Sequence, residues 1–263
     1  MEIISSTKNP TFKHLLRLAS NRRARREAGL GLFDGLKIIE DYLAVGNLPE
    51  IMIFDETRLN EPAIAGLVQK TASRRQIVVK PFLLAKLSQV ETAPGVISVV
   101  KTPQLDWRAF APSQKPILLL EKVQDPGNLG TILRGALAFG VGAVLLSNDS
   151  VEVFSPKVIR ASMGACFNLP IYEKVDLVKF MSKFRTNYNY LATSSHAALP
   201  ITAVDLHGVP VAWLFGNEGA GLSPELSDLA DQTVAIPQSS AIESLNLSMA
   251  VTICLYENLC QNL

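Results

Sequence analysis

The sequence predicts an α/β fold in two parts. A mostly parallel sheet with helices on both faces spans residues 116–263, a smaller α/β domain spans 1–100, and 101–115 links them. Three observations carry this prediction. The second half alternates short apolar runs with helical stretches, and runs that apolar suit strands covered on both faces. The first hundred residues mix amphipathic helical spacing with short strand-like runs. Between the two lies "KTPQLDWRAFAPSQK", with two prolines, mixed polarity and no sustained period.

Taken in order, the first part carries helices near 8–19 and 36–46 and strands at "IMIF", "QIVV" and "VISVV". After the linker come strands at 116–121, 142–147, 190–195, 211–216 and 232–237. Helices fall between them near 129–139, 155–165, 175–185 and 224–230, with a last one near 244–259. No internal repeat and no low-complexity segment interrupts the pattern. In open parallel sheets ligands sit beyond the carboxyl ends of the strands, so the turns after the strands are where function is expected.

Composition narrows the classes. At 48% hydrophobic and 19% charged residues, the 263-residue chain can bury a proper core. No run approaches the ~18 apolar residues of a membrane helix. The opening "MEIISSTKNP" lacks the basic-then-apolar layout of a signal peptide. Cys166, Cys254 and Cys260, an odd number with no CxxC spacing, read as reduced thiols in a cytoplasmic setting without structural zinc. His14, His196 and His207 are dispersed, so no metal is expected. The net charge of +1 hides an asymmetry: residues 1–100 hold 14 Lys and Arg against 10 Asp and Glu. Seven of those bases, and no acid, fall in residues 8–26, including Arg22, Arg23, Arg25 and Arg26. Such a block is either a solvated helix face or a phosphate-binding surface.

Three turns carry more chemistry than a fold needs. In "QDPGNLGTILRGALAFG" (124–140), Asp125-Pro126-Gly127 forms a turn and Asn128 is placed as a helix N-cap. Arg134 lies off the apolar stripe of that helix, either merely exposed or aimed at an anionic or hydroxyl-bearing substrate. In "FGNEGAGLSPEL" (215–226), Gly216, Gly219 and Gly221 let backbone approach a ligand, and Ser223-Pro224 starts a helix. The order G-x-x-G-x-G after a late strand is not a dinucleotide fingerprint. Glu218 could cap a backbone amide or orient a substrate group. In "IPQSSAIESLNLSMAVTICLYE" (236–257), Ser240 and Glu243 match a capping box. Ser244 and Ser248 share one helix face, and Asn246 points elsewhere. One cap cannot use all of these, so they serve a neighbouring loop or line a pocket.

Together "NLGTILR", "LFGNEGAGLS" and "IPQSSAIESLNLSMA" resemble, in order and spacing, the three motifs of the SpoU (TrmH-like) branch of the SPOUT RNA methyltransferases. "FSPKVIRASMGACFNLPI" (154–171) is also similar to a stretch of that family. The resemblance covers most of 115–260. More loosely, "RLASNRRARREAGLGLFDGLKIIEDYL" is similar to the family's substrate-binding domain, which is ribosomal-protein-L30e-like.

The resemblance implies a trefoil-knotted sheet, an exception to ordinary connection rules. It implies S-adenosylmethionine as cofactor, a homodimer with its site completed across the interface, and methylation of a ribose 2′-oxygen in RNA. It assigns catalytic roles to Asn128, Arg134, Glu218, Ser244 and Asn246, and cofactor contacts to Thr193, Gly216, Ile236 and Leu245. A guanidinium resists deprotonation, so Arg134 is expected to hold a phosphate and steady developing negative charge rather than act as a base. The appended basic domain favours ribosomal RNA. A tRNA enzyme and a catalytically silent RNA-binding protein are the alternatives. The chain departs from the family pattern at Ser240, where a glycine is usual, at Gln238 in place of Met, and at "FDG" (33–35) in place of hydrophobic-Glu-Gly.

Overall fold

In a computed structural model, which describes residues 1–88, 90, 93–239 and 241–263, the chain forms two compact units. One comprises Met1–Pro103 with Phe154–Phe167, the other Gln104–Val153 with Asn168–Leu263. The segment 154–167, which the sequence places in the second domain, therefore packs with the first unit. Among the described residues no helix is long and apolar enough to cross a membrane.

The first unit opens with β1 (Glu2–Ile4), α1 (Pro10–Ser20), α2 (Arg22–Ala28), β2 (Leu30–Asp34) and α3 (Leu36–Ala44). It continues through β3 (Ile51–Asp55), α4 (Pro62–Lys70), β4 (Arg75–Val79), α5 (Pro81–Leu87) and β5 (Val96–Lys101). The sheet order is β1-β4-β3-β5-β2. β5 runs antiparallel to both β2 and β3, while β4 runs parallel to β1 and β3. The basic block 8–26 breaks into two helices at Asn21. Its amide donates to Arg17 O at the end of α1, and its Oδ1 accepts Ala24 N at the start of α2. Asn at such a junction satisfies orphan groups of both helices. Phe12, Leu15, Leu18 and Ala19 bury the inner face of α1, at helical spacing.

The transferred segment docks by aromatic contacts. Phe167 sits 5.2 Å from the Phe33 ring and 4.9 Å from Tyr42, and Phe154 lies 5.8 Å from Phe167. Asp34, of the departing "FDG" triplet, is buried. It accepts the Ser88 hydroxyl at 2.6 Å and faces Arg160 Nη1 at 3.6 Å.

The second unit contains β6 (Ile117–Leu120), α6 (Pro126–Ala138), β7 (Ala143–Ser147), then, after the segment that holds α7 (Pro156–Ala161), β8 (Ile171–Val175) and α8 (Leu177–Lys183). It ends with β9 (Asn189–Thr193), β10 (Leu199–Pro200), β11 (Val211–Phe215), α9 (Pro224–Asp228), β12 (Gln232–Ala235) and α10 (Leu247–Gln261). The sheet order is β10-β12-β9-β11-β6-β7-β8, with every pairing parallel. The unbroken apolar strands are buried as expected: all four residues of β6 and all five of β11 are. The linker candidate proves to be partly core. Trp107 and Phe110 are buried, and Phe110 stacks edge-on against Phe180 and Phe184.

α10 begins three residues later than the sequence suggests. Its N-cap is Asn246, so a capping box at 240–243 would stand ahead of the helix; Ser240 itself lies outside the described residues. Further along, Asn258 on α10 accepts the buried Trp213 Nε1–H at 3.1 Å, tying the helix to β11. Cys166 and Cys254 are buried, which pushes both thiols up to about 12, while Cys260 is exposed.

Candidate functional site

A cavity of about 380 Å³ opens beyond the carboxyl ends of β9, β11 and β12, which adjoin in the sheet. Ligand cavities of a few hundred Å³ and upward are the normal range for small-molecule sites. Thr193 closes β9, Gly216 follows β11, Ile236 follows β12, and Ser244 and Leu245 precede α10; all five line the cavity. Glu218, His196 and Gln238 line it as well. The turns after the strands are thus where the space is, as the strand pattern predicts.

The loop after β11 closes on itself. Asn217 and Gly221 exchange backbone hydrogen bonds, both 2.9 Å, and Asn217 Oδ1 accepts the amides of Gly219 and Ala220 at 2.9 and 3.0 Å. Gly221 sits at φ 71°, where glycine has no steric penalty. Gly216 is needed for a different reason. A Cβ there would lie 2.0 Å from the Gly221 carbonyl carbon and 2.1 Å from Leu222 N.

Glu218 caps backbone amides of the neighbouring turn and also lines the cavity. Its carboxylate accepts Asp125 N at 3.0 Å and Gln124 N at 3.1 Å, and Asn128 Nδ2 at 3.2 Å. Burial pushes this carboxyl up, but the amides of Asp125, Glu218 and Gln124 and the Asn128 side chain outweigh it and hold Glu218 below the usual glutamate range. Asp125, not Asn128, is the N-cap of α6: its Oδ1 accepts Asn128 N at 2.7 Å, with Pro126 in the first turn. Asn128 is released from capping and instead bridges two motifs. Its Oδ1 accepts Asn246 Nδ2 at 2.9 Å while its Nδ2 serves Glu218. Asn246 Oδ1 in turn accepts Ser248 N at 2.9 Å and the Ser248 hydroxyl at 2.7 Å. The three turns singled out in the sequence are therefore joined by one directional chain, Asn246 to Asn128 to Glu218.

The structure does not bring every expected residue to that chain. Arg134 is exposed on α6 and is absent from the cavity lining among the described residues. Ser244 reaches the cavity but not the Asn–Asn–Glu chain. In the first unit, Arg25 is buried, with Nη1 donating to Leu18 O at 2.8 Å and Ala19 O at 3.3 Å, so it holds the end of α1. Arg22, Arg23 and Arg26 are exposed, and Arg23 pairs with Glu27 at 2.7 Å. Asn217 is a site residue that the motif reading passed over. An Asn at the head of a glycine turn is the signal for the side-chain-to-backbone turn it makes.

A parallel sheet with a glycine-bounded cavity over its carboxyl edge places the chain among α/β folds that take small-molecule ligands at that edge. The comparisons sharpen that class. Residues 115–256 match the model of the SpoU rRNA Methylase family. The chain is 36% identical over 256 residues to an uncharacterized tRNA/rRNA methyltransferase of Synechocystis sp., covering 97% of this chain and 92% of that one. It is 31% identical over 261 residues to the 23S rRNA (uridine(2479)-2′-O)-methyltransferase of Streptomyces viridochromogenes, covering 96% and 90%. The AdoMet-bound rRNA methyltransferase of Sinorhizobium meliloti superposes with a TM-score of 0.88 at 27% identity, covering 100% and 98%. The chain belongs to the SpoU rRNA methylase family, and its fold is that of the SPOUT methyltransferases.

Proposed function

We propose that the protein transfers a methyl group from S-adenosylmethionine to a ribose 2′-oxygen of RNA, with ribosomal RNA as substrate, in the cytoplasm. The observation that carries this reading is the cavity on which Thr193, Gly216, Ile236, Ser244 and Leu245 converge. Those residues fit the cofactor: the cavity has the size for it, and Gly216, Gly219 and Gly221 present backbone along its wall. Ribosomal RNA is favoured over tRNA because a 2′-O-methyltransferase of 23S rRNA matches across both units, the basic first unit included.

When bound, the cofactor supplies a methyl already activated by its sulfonium charge. The chain's residues then have to align, exclude water and handle charge. The 216–221 backbone, Ile236 and Leu245 hold the cofactor. Thr193 commits its hydroxyl to Leu214 O at 3.0 Å and so contributes shape. Glu218 stays ionised, but three donors occupy it, so it fixes Asn128 and the 124–125 amides instead of taking a proton. Asn128 and Asn246 set the position of the α6 and α10 N-termini relative to each other. Arg134 binds the phosphate beside the target ribose and steadies negative charge on the 2′-oxygen. Arg22, Arg23 and Arg26 contact the RNA backbone.

A homodimer completes this site. α6 and α10 pack together, and Leu137, Met249 and Tyr256 on them are exposed. A second copy covering that face would carry Arg134 toward the partner's cavity. The experiment is methyl incorporation from labelled cofactor into ribosomal RNA and tRNA fractions, with Arg134→Ala and Gly216→Ala protomers assayed alone and mixed. Label enters the ribosomal fraction with the parent, each variant alone is weak, and the mixture regains activity. No label in any RNA sinks the enzyme reading; no recovery on mixing sinks the shared site.

A further inference from the structure

Glu121 stands immediately after β6, near the middle of the sheet, and is 7% exposed. A carboxylate that buried requires strong donors. Its Oε2 accepts the backbone N–H of Ser223 at 2.7 Å, and its own N–H donates to Phe215 O at 2.9 Å. Phe215 and Ser223 are the two feet of the glycine loop: β11 ends at the first, and the second caps α9. One residue therefore holds both ends of the loop. The next residue adds a third attachment. Lys122 is held at φ 49°, unusual for a lysine, and its carbonyl accepts Asn217 Nδ2 at 2.9 Å. From the other side, Glu218 takes the amides of Gln124 and Asp125. The two segments thus exchange carboxylates: each accepts amide protons from the other.

Glu121 has no part in the chemistry assigned above and is not among the residues lining the cavity. We propose that it is a positioning residue for methyl transfer, clamping the feet of the 216–222 loop so that the loop backbone keeps the shape the cofactor requires. The proposal rests on the reading of the cavity as the S-adenosylmethionine site.

The test uses the full chain with Glu121→Gln, which keeps an acceptor oxygen, and Glu121→Met, which keeps volume without one. Calorimetry with S-adenosylmethionine, steady-state methylation of ribosomal RNA and thermal unfolding are measured on each. Loss of a hydrogen bond to a charged group corresponds to roughly tenfold or more in affinity. Glu121→Met is expected to weaken cofactor binding and raise its KM by about that factor, with the rate at saturating cofactor within about threefold of the parent. Glu121→Gln is expected to stay within about threefold in all three. Unchanged affinity in Glu121→Met overturns the proposal, and so does a Gln variant as weak as the Met variant. Should the Met variant fail to fold, Glu121→Asp, whose shorter side chain withdraws the carboxylate from the Ser223 amide, takes its place: cofactor affinity weaker by about tenfold supports the clamp, and affinity within about threefold of the parent overturns it. A parent protein that binds no S-adenosylmethionine refutes the cofactor reading itself, a result distinct from any of these.

Discussion

Gly216→Ala is the smallest change that should disable the cavity. The added Cβ would lie 2.0 Å from the Gly221 carbonyl carbon, 2.1 Å from its oxygen and 2.1 Å from Leu222 N. Ordinary carbon contacts begin near ~3.5 Å, so a backbone segment must retreat by more than about 1 Å. No flexible side chain can yield in its place. The retreat separates Asn217 from Gly221 and breaks their two 2.9 Å bonds. At about 1 kcal/mol net for each bond, the closed loop loses about 2 kcal/mol relative to an opened one. That corresponds to roughly a thirtyfold loss in cofactor affinity if binding needs the closed loop. Because the loop is at the surface and the strands beneath it are untouched, global stability should fall far less. Isothermal calorimetry with S-adenosylmethionine, beside thermal unfolding, reads both. An alanine variant that binds cofactor within about threefold of the parent would show that the loop tolerates opening, and the cradle argument would fail.

Other expectations follow from the same geometry. Asn246→Asp keeps the acceptor that caps α10 but removes the donor to Asn128, so chemical denaturation should show a loss of no more than about 1 kcal/mol while methyl transfer drops by a larger factor than that loss corresponds to; equal loss of both would refute the division of labour. Glu218 is held below the unfolded value of about 4.3, so its stabilising contribution is fully present above that pH and disappears as pH falls through the lower folded value. Urea titrations from neutral pH into acid should therefore show Glu218→Gln flattening the acid limb, and parallel curves would contradict this. Arg25→Ala should destabilise the first unit by about 1–3 kcal/mol, since it deserts two carbonyls at the end of α1. Joint neutralisation of Arg22, Arg23 and Arg26 should leave stability near the parent's while lowering RNA affinity and its salt slope; a variant set with the two effects reversed would move the RNA contact elsewhere.

How much of this was legible beforehand depended on where each signal was stored. Strands such as "PILLLE" and "VAWLFG" could be read because burial on both faces leaves an unbroken apolar run. β8 could not, because "IYEKV" is an edge strand with three of its five residues less than fully buried, and its pattern merges with the helix that follows. The segment 154–167 carries no local mark of its destination. Phe154 and Phe167 look like core residues of whichever unit surrounds them, and only the ring contacts with Phe33 and Tyr42 assign them. Arg25 was indistinguishable from its basic neighbours because burial is decided by helix phase after the break at Asn21.

The site itself was legible as a set of residues but not as a circuit. The sequence offers Asn128 as a cap and sets Asn246 apart from one, and the structure has it the other way round. Asp125 takes the α6 cap because Pro126 suits the first helical position, which moves the helix start back and frees the Asn128 side chain. Asn246 does the capping at α10 and still has its Nδ2 to give. The polar surplus before α10 is thereby divided by geometry: Asn246 and Ser248 belong to the cap and the link to Asn128, Ser244 belongs to the cavity, and Gln238 braces the intervening turn through Glu243 O at 3.2 Å. A single helix start needs two or three polar groups. This one needs more because the chain between β12 and α10 must at once cap a helix, wall a cavity and fasten itself to a loop that was laid down more than a hundred residues earlier.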